Sequence, residues 1–250
     1  MAVILQNSYL NSNTLKMTVK TEDNKNLGAC GQFYMIKPNQ SSDPFLGRPI
    51  SIFDTDENNR TVTFVYALIG KGTELMSKMK EGDNITVTGP FGNPFPITDN
   101  DITIIGGGVG IAPLYLFAKQ HKRLYPNKNI RVHLGFSNEN AVILTEQYNA
   151  LCDEVKINIG GYVTDDVCFT DNRIYYSCGP APMMAAACKK AIANNKTLYV
   201  SLEKHMACGV GACLVCTCKT ADGSKKRVCK DGPVFNAADV FDTEKGCFYE

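Results

Sequence analysis

The sequence predicts a β-rich unit, then an α/β unit built on a parallel sheet, then a short cysteine-rich segment. Three observations carry this reading. Up to about residue 98 the chain runs in short β-branched and aromatic stretches punctuated by Gly, Pro, Asn and Asp; from about 101 strands alternate with helices; after about 201 it turns Cys- and Gly-rich.

In the first unit the strand candidates are KMTVK, GQFYMIK, RPISIF, RTVTFVYAL and NITVTG, whose spacing fits a barrel or a sandwich. One helix interrupts them: Thr73 is placed to cap TELMSKMK and Gly82 to end it. In the second unit DITII is a strand and GGGVGIAPL a glycine turn into a helix reaching about Leu124. NIRVHLGF, NRIYYSC and TLYVSLE are further strands, with helices over TEQYNALC and PAPMMAAACKKAIANN between them. The last fifty residues carry too little apolar content to fold without a staple or a partner.

Lys and Arg total 26 against 25 Asp and Glu, a net charge of +1 that favours neither nucleic acid nor an anionic membrane as partner. MAVILQNSYL lacks the basic and apolar regions of a signal peptide, and the apolar stretch from 102 to 118 is broken by four glycines and a proline. A cytoplasmic protein is expected, with Cys30, Cys152, Cys168, Cys178, Cys188 and Cys247 as reduced thiols.

The other five cysteines are concentrated. Cys208, Cys213 and Cys216 fall at C-x4-C-x2-C, and Cys229 follows after twelve residues, the plant-type spacing of a [2Fe–2S] cluster. The small residues between them let backbone N–H groups approach the sulfurs. A structural zinc site is the alternative, although it usually presents two tight Cys pairs. Cys218 lies two residues from Cys216, so strand alternation cannot exclude it; Cys229, on a separate segment, can close the far side of a cluster. His205 lacks the ligand pattern of a Rieske centre.

Two regions carry nucleotide signals. RPIS (48–51) offers an arginine, and GKGT (70–73) leads two glycines into a helix N-terminus that favours phosphate or is simply a capped turn. GGGVGIAP (106–113) joins strand to helix, with Gly106, Gly107, Gly108 and Gly110 as candidate contacts and Ile111 where a third fingerprint glycine would stand. CGPAPMM places Cys178, Gly179 and Pro180 at the same sheet edge; Cys178 is either a buried small residue or a functional one, and Met183 and Met184 are core. The three histidines and scattered carboxylates form no acid/base constellation, so no catalytic residue is assigned.

The order RPIS, GKGT, GGGVGIAPL, CGP and C-x4-C-x2-C resembles the ferredoxin-reductase-like flavoproteins. Within that superfamily the chain looks most like the electron-transfer subunits of B-type dihydroorotate dehydrogenase. The resemblance spans the whole chain and is most specific at SLEKHMACGVGAC. It implies an FAD-binding antiparallel β-barrel (1–98), an NAD-binding α/β domain (99–200) and a [2Fe–2S] segment (201–250). FAD contacts would fall on Arg48, Pro49, Ile50, Ser51, Val65, Tyr66, Ala67, Gly72 and Thr73, and cluster ligands on Cys208, Cys213, Cys216 and Cys229.

The implied chemistry is an electron relay. Nicotinamide exchanges a hydride with FAD, and the cluster links FAD one electron at a time to FMN in a catalytic partner subunit. In the family, two of each subunit assemble, dihydroorotate is oxidised in pyrimidine biosynthesis, and NAD+ is the final acceptor. The absence of arginine from GFSNEN favours NAD over NADP. Two rivals stand beside this reading: the analogous subunit of a sulfhydrogenase or transhydrogenase, and a zinc-stapled, non-catalytic interaction module.

Overall fold

Residues 1–22, 26–38 and 43–249 are described by the computed structural model. The first unit contains β1 (Ala2–Asn11), β2 (Thr14–Thr21), β3 (Phe33–Pro38), β4 (Arg48–Asp56), β5 (Thr61–Ala67), α1 (Lys71–Ser77) and β6 (Asn84–Phe91). Its strands close into a barrel in the order β1-β2-β5-β4-β3-β6, so the barrel alternative holds. Alternation drives the closure: Leu15, Met17 and Val19 of β2 and Val62, Phe64 and Tyr66 of β5 point into one core.

Strand β1 was not among the sequence candidates. Its Val3 and Leu5 are exposed and its register slips between Ile4 and Gln6, which blurs the period. Helix α1 also differs from expectation. It begins two residues before Thr73, with Gly70 as the N-cap, and ends at Ser77 rather than at Gly82. Thr73 Oγ1 reaches back to accept from the N–H groups of Ile69 and Gly70 at 3.0 and 3.2 Å, fastening the turn from inside the helix.

The second unit contains β7 (Ile102–Gly107), α2 (Ile111–Leu124), β8 (Ile130–Phe136), α3 (Thr145–Leu151), β9 (Glu154–Ile159), β10 (Ile174–Cys178), α4 (Ala181–Ala193) and β11 (Leu198–Ser201). The remainder contains β12 (Thr217–Lys219), β13 (Lys225–Arg227), β14 (Val234–Asn236), α5 (Ala237–Val240), β15 (Phe241–Asp242) and β16 (Cys247–Phe248). The main sheet has the order β14-β11-β10-β7-β8-β9. It is parallel except for β14, which crosses from the cysteine-rich segment to pair antiparallel with β11, so the sheet is mixed rather than wholly parallel. The chain runs outward from β7 through β8 to β9, then returns to β10 beside β7. That reversal opens a crevice at the carboxyl ends of β7 and β10.

Barrel and sheet are joined by packing. Phe53 of β4 stacks on Tyr115 of α2 at 4.7 Å, and Lys119 pairs with Asp54 at 2.8 Å. Tyr176 donates its hydroxyl to Pro96 O at 2.8 Å. Among the described residues, no helix is long and apolar enough to cross a membrane.

His133 in β8 is buried with neither ring nitrogen hydrogen-bonded, and burial, helped by Lys156 and Arg131, pushes its pKa down to about 4. A proton therefore binds the unfolded ring, near pH 6.5, more readily than the folded one. The stability contributed by the neutral ring is complete above pH 6.5 and is lost as pH falls towards 4, by about 3 kcal/mol. Urea unfolding at pH 7.0 and 4.5 should show this drop, and the drop should shrink by most of that amount in His133→Leu.

Candidate functional site

The cysteine loop is shaped by its backbone. Gly209 (φ +72°), Gly211 (φ +80°) and Leu214 (φ +63°) are left-handed, which curls residues 208–216 so that N–H groups face inward. Gly211 N–H donates to Cys229 Sγ at 3.1 Å, Ala212 N–H to Cys208 Sγ at 3.3 Å, and Cys229 N–H to Cys216 Sγ at 3.4 Å. Cys213 N–H also reaches Cys208 Sγ, at 3.5 Å. These donors, Cys213 N–H foremost, draw the Cys208 thiol down to about 6, whereas burial pushes Cys229 up to about 12.

N–H···S bonds thus involve all four predicted ligands, with Cys216 and Cys229 buried and Cys213 exposed. Cys218 is outside this set: its side chain is buried in the core that includes Val228 and Val240, and no loop N–H reaches it. Among the described residues, no three His, Cys, Asp or Glu side chains already stand in a ready metal-binding arrangement. The donor set nevertheless suits an iron–sulfur cluster, because N–H groups aimed at sulfur stabilise its negative charge.

The loop leans on the barrel. A Cβ on Gly209 would fall 2.8 Å from Met35 Cγ and 3.3 Å from the Phe91 ring. The turn GPFGNPF (89–95) anchors the second cysteine segment: Asn93 N–H donates to Gly232 O at 2.6 Å and Asn93 Nδ2 to Asp231 O at 2.9 Å.

One strand further in lies RPIS. Met35 of β3 is the register partner of Pro49, and Phe33 that of Ser51. Across β4, pairing with β5 begins only at Ile52 and Phe64, so residues 48–51 and 65–67 border an open seam of the barrel. Two sequence-distant motifs meet at its mouth. A Cβ on Gly72 would lie 2.2 Å from Arg48 Nε, so only glycine lets the guanidinium lie against the start of α1. The Tyr66 side chain points into the barrel and donates to Asn7 Oδ1 at 3.0 Å, leaving its backbone to the seam. A backbone-lined seam carrying one arginine suits the ring and pyrophosphate of a flavin dinucleotide.

The crevice between β7 and β10 is closed by backbone against backbone. A Cβ on Gly110 would fall 2.5 Å from Gly179 Cα, and one on Gly179 2.8 Å from Gly107 O. Ile111, in the third glycine's place, packs its Cγ2 under Gly106. Above these loops opens a cleft of about 790 Å³, bordered by residues 107–110 and 179–182.

Cys178 is buried behind the cleft and burial raises its thiol to about 12, so it is a neutral thiol next to Glu203. Met184 lines the cleft as well as the core. Sequence reasoning missed Glu203, Lys204 and residues 246–249, all on the cleft wall. Glu203 lines the cleft, and desolvation by the surrounding protein pushes its carboxyl up. A signal for the first two existed, since they follow β11 at the same sheet edge; none existed for 246–249.

Comparison with known proteins agrees with this layout. Residues 203–241 match the iron-sulfur cluster binding domain of dihydroorotate dehydrogenase B. The electron transfer subunit of dihydroorotate dehydrogenase B (NAD(+)) from Clostridium acetobutylicum is 39% identical over 84% of this chain and 85% of its own. The corresponding subunit from Caldanaerobacter subterraneus is 39% identical over 96% of this chain and 97% of its own. Among solved structures, an NADH-dependent reduced ferredoxin-NADP oxidoreductase superposes with a TM-score of 0.87 at 28% identity, covering 98% of this chain and 91% of that one. The ferredoxin-NADP+ reductase of Plasmodium falciparum, at 16% identity and a TM-score of 0.64, shares the fold over 77% of this chain and 88% of its own.

Proposed function

Because the chain belongs to the family of electron transfer subunits of NAD(+)-linked dihydroorotate dehydrogenase B, we propose that it carries electrons from a dihydroorotate-oxidising partner to NAD+. The partner is an FMN-containing catalytic subunit, assembled two-and-two with this chain in the cytoplasm. Within the chain, residues 1–98 hold FAD, 99–200 receive NAD and 201–250 hold the cluster. When bound, FAD supplies conversion between two-electron hydride chemistry and one-electron transfer, and the [2Fe–2S] cluster supplies the one-electron link.

One observation carries the proposal: β4 lies between the two other sites. On one side the cysteine loop rests on Met35, the partner of Pro49 one strand spacing away. On the other, Phe53 stacks on α2, the helix that leaves the glycine turn. RPIS is therefore the middle station of a short path. Arg48, Pro49, Ile50 and Ser51 with Val65, Tyr66 and Ala67 border the flavin, and Gly72 and Thr73 shape the turn that receives its phosphates. Gly106, Gly107, Gly108 and Gly110 with Cys178, Gly179 and Pro180 receive the nicotinamide dinucleotide. Cys208, Cys213, Cys216 and Cys229 hold the cluster.

The exposed Cys213, flanked by exposed Val210, Leu214 and Val215, supports a partner that docks over the loop. The cysteines outside the ligand set, none of them paired in a disulfide, support a reducing compartment. The zinc reading loses ground because the matched cluster-binding domain spans all four cysteines.

A second reading within the redox class, a subunit of a transhydrogenase or sulfhydrogenase, is favoured by the 0.87 TM-score to the NADH-dependent reduced ferredoxin-NADP oxidoreductase. Purified partners separate the two: reduction of NAD+ by dihydroorotate supports the first, and reduction by another donor only supports the second.

Arg48→Ala should weaken FAD retention by about tenfold, the worth of one charge-assisted hydrogen bond. The measurement is flavin absorbance per mole of protein after gel filtration, with iron content unchanged.

A further inference from the structure

The cleft above the glycine loops has one wall from outside the β-strand-and-helix architecture that builds the rest. Residues 246–249 line it together with 107–110 and 179–182. They form the return arm of the β15–β16 hairpin, whose ladder has only two pairs, Phe241 with Phe248 and Asp242 with Cys247. A ribbon that short does not hold itself, and side chains fasten it here. Phe241 and Phe248 meet edge to face at 5.6 Å, and Tyr249 N–H donates to Val240 O at 3.0 Å. The Asp242 carboxylate accepts from the N–H groups of Glu244 and Lys245 at 3.0 and 3.1 Å, closing the turn.

The hairpin is also anchored at its root to the rest of the chain. Its root, α5, follows β14 in the main sheet, and Ala221 N–H of the cysteine-rich segment donates to Asp239 O at 2.8 Å. The hairpin is thus held at its root, and the exposed Cys247 is one of the residues that line the cleft.

We propose that the hairpin of residues 241–249 is the outer wall of the dinucleotide cleft, so that a bound nicotinamide dinucleotide passes beneath 246–249 and covers Cys247. The inference rests on reading the cleft as the NAD site. Its consequence is steric: bulk added to the inner side of the arm narrows the passage and weakens dinucleotide binding without touching the flavin seam or the cysteine loop.

The test is alkylation of the purified holoprotein by iodoacetamide with and without NAD+, with labelled peptides quantified by mass spectrometry. NAD+ at ten times its dissociation constant should slow labelling of Cys247 by about tenfold by mass action, and leave the exposed Cys168, outside the cleft, at its free rate. Gly110→Val, which separates the glycine loops, should abolish that protection. NAD+ binding is followed separately by equilibrium dialysis. Binding without protection of Cys247 overturns the wall and leaves the NAD reading intact. No binding, or protection that survives Gly110→Val, overturns both. As an independent arm, Cys247→Trp should raise KM for NADH about tenfold with little change in kcat. An unchanged KM contradicts the proposal.

Discussion

Serine in place of any one of Cys208, Cys213, Cys216 or Cys229 will strip the cluster and stop electron flow between dihydroorotate and NAD+. Cys218→Ser will do neither. Loop N–H groups reach the sulfurs of Cys208 and Cys229, the Cys229 N–H reaches Cys216, and Cys213 contributes its own N–H to Cys208. Removing an outer partner of a metal ligand typically costs 10–100-fold, so loss of a ligand should reduce the dihydroorotate-to-NAD+ rate by about a hundredfold or more. NADH-dependent dye reduction should persist, because the seam and the cleft do not depend on the loop sulfurs. Cys218 fills core space beside Val228, and serine there costs stability through a buried hydroxyl without touching the cluster. Iron content, the visible spectrum and the two activities measured on the five variants decide the matter. Iron retained in Cys229→Ser but lost in Cys218→Ser would reverse the assignment.

Gly110→Val is expected to have the second largest effect, a fall of about a hundredfold in kcat/KM for NADH with FAD and iron at full occupancy, as expected when reacting groups are displaced by about 1 Å. The added Cβ would lie 2.5 Å from Gly179 Cα and 2.6 Å from Gly179 N, and neither backbone atom can rotate away. The loops after β7 and β10 must then part. Gly108→Ala is the informative contrast. Gly108 has φ +53° and open space around its Cβ position, so alanine there costs about 1 kcal/mol of backbone strain and no collision. A Gly110→Val enzyme with ordinary NADH kinetics would show that the two glycine loops do not receive the dinucleotide.

The parts legible in the sequence are those whose signal is local. Strands such as Thr14–Thr21 alternate cleanly, and the glycine turn after Ile102–Gly107 marks both a strand end and a helix start. Spacing singled out Cys208, Cys213 and Cys216 for the same reason. Elements defined by their neighbours were not legible. Strand β9 is an edge strand with exposed residues on both faces, so EVKINI shows little contrast between them. Strand β14 is three residues long and exists because β11 has an edge to fill.

The site divides in the same way. Each motif could be found alone, but the meeting of Arg48 with Gly72 and of Gly110 with Gly179 is a property of the fold. The choice of Cys229 over Cys218 rests in the sequence on reach and resemblance, because Cys216 and Cys218 are two apart. The fold adds that the Gly211 N–H points at Cys229 Sγ, while Cys218 lies in the core beside Val228.

The most direct test of the relay is anaerobic reduction of NAD+ by dihydroorotate, followed at 340 nm, in a complex purified after co-expression with the FMN catalytic subunit. NADH should form in step with orotate only when both chains are present, and the flavin and iron–sulfur absorbances of this chain should bleach when dihydroorotate is added without NAD+. A complex that oxidises dihydroorotate with an artificial acceptor, yet neither bleaches this chain's chromophores nor forms NADH, would contradict the account.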